Sequence, residues 1–210
     1  MKLQDHLTNG LQALERQFRK NELAYLALTQ KPEHVLRDRL AFELHQTLQK
    51  RDASLCVCRE WRRVDLAILK GDTPKLLLEA KAFYTFDLLH EKVLEKYLGR
   101  DGHVMNDICK ATDTAAKHVG DGKNARPETY ALVLATETPE TPSIRFRQSI
   151  KYFNCIKKYS PKPIPFGDAT NIVCDRLDKL DIVGSWKIMA GKAFDVNVEL
   201  FAWLLRSRRG

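Results

Sequence analysis

The chain has no apolar run of membrane-spanning length, and its polar opening, Met1-Lys-Leu-Gln-Asp-His6, holds no signal-peptide core, so an intracellular, cytoplasmic protein is expected. Cysteine is sparse and badly spaced for pairing. Five residues, an odd count, do not suggest a disulfide framework. Cys56-Val-Cys58 sets two thiols on one strand face, yet with no second paired cluster it is no zinc signature, and the cysteines are expected as core or partly buried thiols. His6, His34, His45, His90, His103 and His118 show no metal-ligand spacing; His118 reads as a complement to a helix dipole. No internal repeat or low-complexity tract is present.

Acid is missing from one long stretch rich in bases. Between Glu140 and Asp168 there is none, while Arg145, Arg147, Lys151, Lys157, Lys158 and Lys162 accumulate. Phe146, Tyr152, Phe153 and Tyr159 interleave with these bases, as in a segment that grips phosphates and packs or stacks on nucleic-acid bases. The opposing reading is a helix whose Ile150, Phe153 and Ile156 face the core and whose bases are merely solvated. The net charge of +8 suits a polyanionic partner, and a hydrophobic fraction of 44% is that of an ordinary globular protein. At 210 residues one domain is expected, with a core about 32–136 and a basic accessory region about 137–210.

The most informative residues are acids and a lysine inside apolar strands. Arg63-Val-Asp-Leu-Ala-Ile-Leu69 and Lys75-Leu-Leu-Leu-Glu-Ala-Lys81 flank Lys70-Gly-Asp-Thr-Pro74, which reads as the turn of a hairpin. A three-residue loop, Gly71 to Thr73, makes Lys70 face Pro74 and Asp65 face Glu79. Facing side chains lie roughly 4.5 to 5.5 Å apart, where like charges destabilise unless something positive intervenes. Lys81, two residues on, shares the face of Glu79. In apolar strands such a cluster is normally tolerable only with a metal or a proton.

Asp65, followed by Glu79-Ala80-Lys81, resembles the core of the PD-(D/E)xK nuclease superfamily, the restriction-endonuclease-like fold, over roughly Pro32 to Thr136. One departure is that Val64 stands where the eponymous proline would be. The resemblance implies an α/β restriction-endonuclease-like core (helix, three-strand meander, helix, strand) with an N-terminal helix and C-terminal α/β additions. It implies Asp65, Glu79, Lys81 and Glu33 as catalytic residues, with Mg²⁺ or Mn²⁺ held by Asp65, Glu79, Glu33 and the main-chain carbonyl of Ala80. Glu33 and Glu43 are the alternatives for the helical acid; Glu33, in the first turn, better matches the family's position. The implied activity is a metal-dependent phosphodiesterase, an endonuclease acting on double-stranded DNA, with Arg145, Arg147, Lys151, Lys157 and Lys158 contacting nucleic acid. A homodimer would let two sites cut two strands. The competing readings are an RNA endonuclease and a nuclease-like module that binds nucleic acid or protein without cutting.

The remaining elements fit the same order. Helical spacing is expected over Leu11 to Leu28, then in a helix from Glu33 whose Leu36, Leu40, Leu44 and Leu48 form a stripe. A strand at Leu55 to Cys58 precedes the hairpin. Helices over Phe86 to Leu98 and His103 to Val119 and a buried strand over Thr129 to Thr136 follow it. Glu137 to Pro142 reads as a surface loop. Ser185 to Ala190 and Phe194 to Leu204, turning at Gly191-Lys192, read as an accessory hairpin whose second run could pass into helix. Trp186 and Trp203 are expected to pack, and Arg206 to Arg209 to touch phosphate or fray.

Overall fold

The computed structural model describes residues 2–117 and 126–208; Val119 and His118 of the expected fifth helix, and Arg209, lie outside them. The fold is mixed α/β. A six-stranded mixed sheet runs in the order β1-β2-β3-β4-β6-β5. Its strands are β1 (Leu55–Trp61), β2 (Val64–Lys70), β3 (Thr73–Tyr84), β4 (Glu128–Glu137), β5 (Leu180–Ala193) and β6 (Val196–Ser207). Only β3 and β4 pair in parallel, with α4 (Glu91–Leu98) and α5 (His103–Ala116) in the crossover between them. β4 reads Glu-Thr-Tyr-Ala-Leu-Val-Leu-Ala-Thr-Glu and is buried along almost its whole length, as a central strand covered on both faces must be.

One face of the sheet carries α1 (Leu3–Ala13), α2 (Glu22–Thr29), α3 (Glu33–Gln49) and α6 (Phe153–Tyr159). The other carries α4, α5 and α7 (Phe166–Arg176). The stripe Leu36, Leu40, Leu44 and Leu48 faces the first core, each residue fully buried. Trp203 anchors the second core, its indole N–H donating to Thr170 Oγ1 at 3.0 Å, and the half-buried Trp186 packs on the first. The region expected as an accessory thus supplies two of the six strands. β6 pairs with β4 from Tyr130↔Arg206 to Glu137↔Glu199. Its second strand stays extended to Ser207 rather than passing into helix.

Several local expectations are corrected. The run Leu11 to Leu28 is not one helix: α1 ends in a 3-10 turn at Leu14–Gln17, and Asn21, in the left-handed region at φ 66°, starts α2 anew. Phe86 to Leu98 divides likewise into a 3-10 turn, Thr85–Leu89, and α4, separated by the extended His90. The last turn of β5–β6 is Phe194-Asp195, both left-handed; Gly191, at φ 104°, instead accompanies a bulge between Met189 and Gly191. Glu137 and Thr138 are buried rather than loop surface, since Glu137 closes β4 and its carboxylate accepts from the N–H groups of Thr138 and Ile164. Of the thiols expected to be core or partly buried, Cys58 and Cys174 are half-buried, but Cys56, Cys109 and Cys155 are exposed. Cys56 and Cys58 sit on an edge strand, which leaves one side open.

The hairpin that carries the acids reaches its register by an unexpected route. Lys70 faces Thr73, not Pro74, so the loop has two residues, Gly71 and Asp72, and Gly71 takes φ 58°. Leu69 then faces Pro74, which has no N–H for a ladder, while Ile68 faces Leu76. Lys75 is the extra residue of a bulge. The bulge cancels the shorter turn and restores the register in which Asp65 lies opposite Glu79.

A tight corner positions α4 against α5. A Cβ on Gly102 would stand 2.8 Å from the backbone N of Gly99 and 3.0 Å from the carbonyl oxygen of Glu95, so only glycine fits without moving main chain. We expect Gly102→Ala to cost about 1–3 kcal/mol, measured as a lowered urea midpoint at unchanged slope.

Candidate active site

The β2–β3 ladder stops at Leu66↔Leu78, and beyond it side chains take over the hydrogen bonds of β3. Asp65 Oδ2 accepts from the Ala80 N–H at 2.8 Å, and Glu33 Oε2, reaching in from the first turn of α3, accepts from the Ala82 N–H at 2.8 Å. Alternation then leaves Glu79 and Lys81 projecting from the opposite face to Ala80, whose side chain packs in the core. The result is a notch at the sheet's broken edge, entered by α3 from one layer and α5 from the other.

Asp65 lies near enough to Glu79 to act on its carboxyl, so the two carboxyls come together at the end of the ladder. Burial, then the Asp65 charge and hydrogen bond and the Asp107 charge, push the Glu79 carboxyl up to about 9; Lys81 offsets this only in part. At neutral pH Glu79 therefore stays protonated. Lys81 Nζ pairs with Asp107 Oδ2 at 2.8 Å. Burial opposes its charge, but Asp107, Glu33 and Asp65 outweigh burial and hold the ammonium above the usual lysine range. Of the two glutamates in α3, only Glu33 reaches the notch. Glu43 accepts from Gln17 Nε2 at 3.1 Å instead.

Two residues of this cluster were not expected. Arg37, buried one helical turn beyond Glu33, donates to Asp65 Oδ1 at 3.2 Å and Glu60 Oε1 at 3.1 Å and pairs with Asp38 at 2.9 Å. Its one available signal is the i, i+4 spacing from Glu33. Asp107 comes from α5, on a helix face that reads as solvated, and no local spacing links it to Lys81.

Mg²⁺ or Mn²⁺ can be tested against this donor set. Among the described residues no group of three or more His, Cys, Asp and Glu is gathered as a ready metal cage. The oxygen donors do suit a hard cation, and a carboxylate offers about four lone-pair sites, so Asp65 keeps capacity beyond Arg37 and Ala80. Asp65 and Glu79 would hold the ion, with the Ala80 carbonyl and the second oxygen of Glu33 alongside.

The basic segment folds as a 3-10 turn, Ile144–Phe146, followed by α6. Ile150, Phe153 and Ile156 are buried and Arg145, Arg147, Lys151, Lys157 and Lys158 exposed. Arg145 is ion-paired to Asp195, and Lys151 and Lys158 lie over the rings of Tyr152 and Tyr159 at 5.4 and 5.0 Å. The segment docks beyond the end of β3, where Tyr152 meets Tyr84 and Tyr159 stacks on Phe86. At the C-terminus Arg208 pairs with Asp181 at 3.0 Å, and Arg206 donates to Gln4 at 3.1 Å. Among the described residues no helix is long and apolar enough to cross a membrane. No protein-family model, curated protein or solved structure matches the chain.

Proposed function

We propose that the chain is a metal-dependent nuclease of the restriction-endonuclease-like kind, hydrolysing phosphodiester bonds in DNA. The observation that carries this reading is the convergence of Asp65, Glu79, Lys81 and Glu33 in one notch, with Glu79 held protonated by burial first and then by Asp65 and Asp107. A bound divalent ion supplies Lewis-acid chemistry: charge neutralisation on the phosphate and a lowered pKa for the attacking water. The protein's own groups do the rest. Asp65 is held in place by Arg37 and the Ala80 N–H. Glu79 gives up its proton as the ion binds. Lys81, oriented by Asp107, donates to the attacking water and stabilises charge developing on the phosphate. Exposed bases of the segment around α6 hold the polyanion.

One observation favours a second reading, a nuclease-like module that binds without cutting. The cluster is already internally satisfied, by Arg37 on Asp65 and by the proton that Glu79 keeps. Incubation of the purified protein with plasmid DNA and with RNA, in Mg²⁺, Mn²⁺ or EDTA, separates the readings. We expect cleavage of DNA in Mg²⁺, none in EDTA, and a loss of about 10²–10³-fold or more in Asp65→Ala and Lys81→Ala. Intact substrates under every condition would leave the binding module; equal cutting by the variants would place the chemistry elsewhere. Cutting of RNA alone would change the substrate but keep the site.

A further inference from the structure

A second cluster of polar side chains lies one step farther along β3 than the carboxylates, and the chemistry above does not use it. Glu79, Lys81 and Phe83 alternate along one face of the strand. The Phe83 ring meets Tyr97, near the end of α4, at 5.7 Å between centroids, and Tyr97 stands edge-on to His103, the first residue of α5, at 5.3 Å. From the opposite helical layer Lys31, two residues ahead of Glu33, donates to the Tyr97 hydroxyl at 2.9 Å. Three separate segments thus bring an ammonium, a phenol and an imidazole to one place. All three side chains are half-buried, too enclosed for a freely solvated surface and open enough for a ligand.

The cluster is continuous with the notch. His103 lies one helical turn before Asp107, the partner of Lys81. Burial first, then Lys81 and Lys96, with a smaller contribution from Lys31, hold the His103 imidazole below its usual range; only Asp107 opposes them. Lys31, Lys81 and Lys96 thus surround His103, with the carboxylates of Asp107, beside His103, and Asp87, beside Lys31, among them. An anion placed here would be attracted by Lys31, Lys81 and Lys96, the three cations that act on His103. The donor inventory fits a phosphate: an ammonium with three hydrogens, an imidazole N–H, and a phenol that accepts from Lys31 while keeping its own proton to donate.

We propose that Lys31, Tyr97 and His103 form a phosphate-binding subsite that holds the nucleic-acid backbone beside the reacting phosphate. This rests on the nuclease reading for the identity of the polyanion. It assigns to these residues a positioning role, since none of them needs to touch the reacting bond.

The test is binding without chemistry. A short labelled DNA duplex, and an RNA of the same sequence, are titrated in EDTA by fluorescence anisotropy at several salt concentrations. Wild type is compared with Lys31→Gln, Lys31→Arg, Tyr97→Phe and His103→Gln, each checked for unchanged thermal unfolding. We expect Lys31→Gln to weaken binding about 5- to 10-fold and to flatten the slope of log Kd against log salt by about one. Lys31→Arg should restore the slope, and Tyr97→Phe and His103→Gln should each weaken binding about 2- to 5-fold. A variant that only loosened the fold would lower the unfolding temperature without changing the salt slope. The subsite is overturned if folded Lys31→Gln and His103→Gln bind with wild-type Kd and slope, or if wild type binds neither nucleic acid. Cleavage assays keep the two ideas apart. Binding defects in a protein that never cuts would leave the subsite and remove the hydrolysis; Asp65-dependent cutting with unaltered slopes would do the reverse.

Discussion

Glu79→Gln is expected to abolish cleavage while making the metal-free protein more stable at pH 8. The Glu79 carboxyl, ordinarily near 4.5, is pushed up to about 9 in the folded chain, by burial first and then by Asp65 and Asp107. Below the ordinary value, folded and unfolded chains are both protonated, and the contribution of this group to stability is fully present. Between the two values the unfolded chain gains by ionising and the folded chain does not, so stability is lost as pH rises toward 9. Glutamine reproduces the protonated form, keeps a donor for Asp65 and cannot ionise. In EDTA we expect the unfolding free energies of wild type and variant, measured in urea, to agree near pH 4 and to diverge by about 2–4 kcal/mol by pH 8, allowing for partial solvent access. Mg²⁺ at pH 8 should raise the midpoint of wild type and leave that of Glu79→Gln in place, because an ion that binds only the folded state stabilises it by mass action. Parallel pH profiles for the two proteins would show that the Asp65–Glu79 pair does not hold the proton.

The second large effect is expected at Arg37. Its guanidinium is buried and spans Asp38, Glu60 and Asp65. Arg37→Ala removes the one cation bonded to Asp65 among the described residues, leaves a cavity between α3 and β2, and leaves Asp65 held by the Ala80 N–H alone. Breaking a buried pair in this way costs about 3–5 kcal/mol; because Asp38 and Glu60 are exposed enough to rehydrate, about 3 kcal/mol is expected here. Arg37→Lys should recover little, since a point charge cannot reach three carboxylates as a planar fork does. Equilibrium unfolding in urea measures the loss. A variant within about 0.5 kcal/mol of wild type would mean that the arginine is dispensable to the fold.

How much of this was legible in the sequence follows from which interactions are local. Asp65, Glu79 and Lys81 stand out because strand alternation and a short turn bind them into one pattern, and Glu33 because a first-turn glutamate follows Pro32. Arg37 is masked by the leucine stripe in which it sits, and Asp107 by its distance along the chain; contacts made only in three dimensions leave no periodicity. The bulge at Lys75 was invisible for a different reason: two irregularities that cancel produce the same facing pair as none. Asn21 breaks the first helical run through its backbone angle alone, while apolar spacing continues across it. At the C-terminal hairpin the glycine signal pointed to Gly191, where the chain places a bulge, while the turn itself is built from Phe194 and Asp195.

The way β3 is finished at its broken edge has a consequence for mutagenesis. Asp65 and Glu33 serve as surrogate strand partners for Ala80 and Ala82, so their oxygens belong to the architecture as much as to the chemistry. Alanine at either position strips a backbone amide of its acceptor, and its phenotype will mix unravelling with inactivation. Among the described residues Glu79 and Lys81 cap no strand amide, so variants there leave the edge of β3 in place and change stability only through their own charge partners.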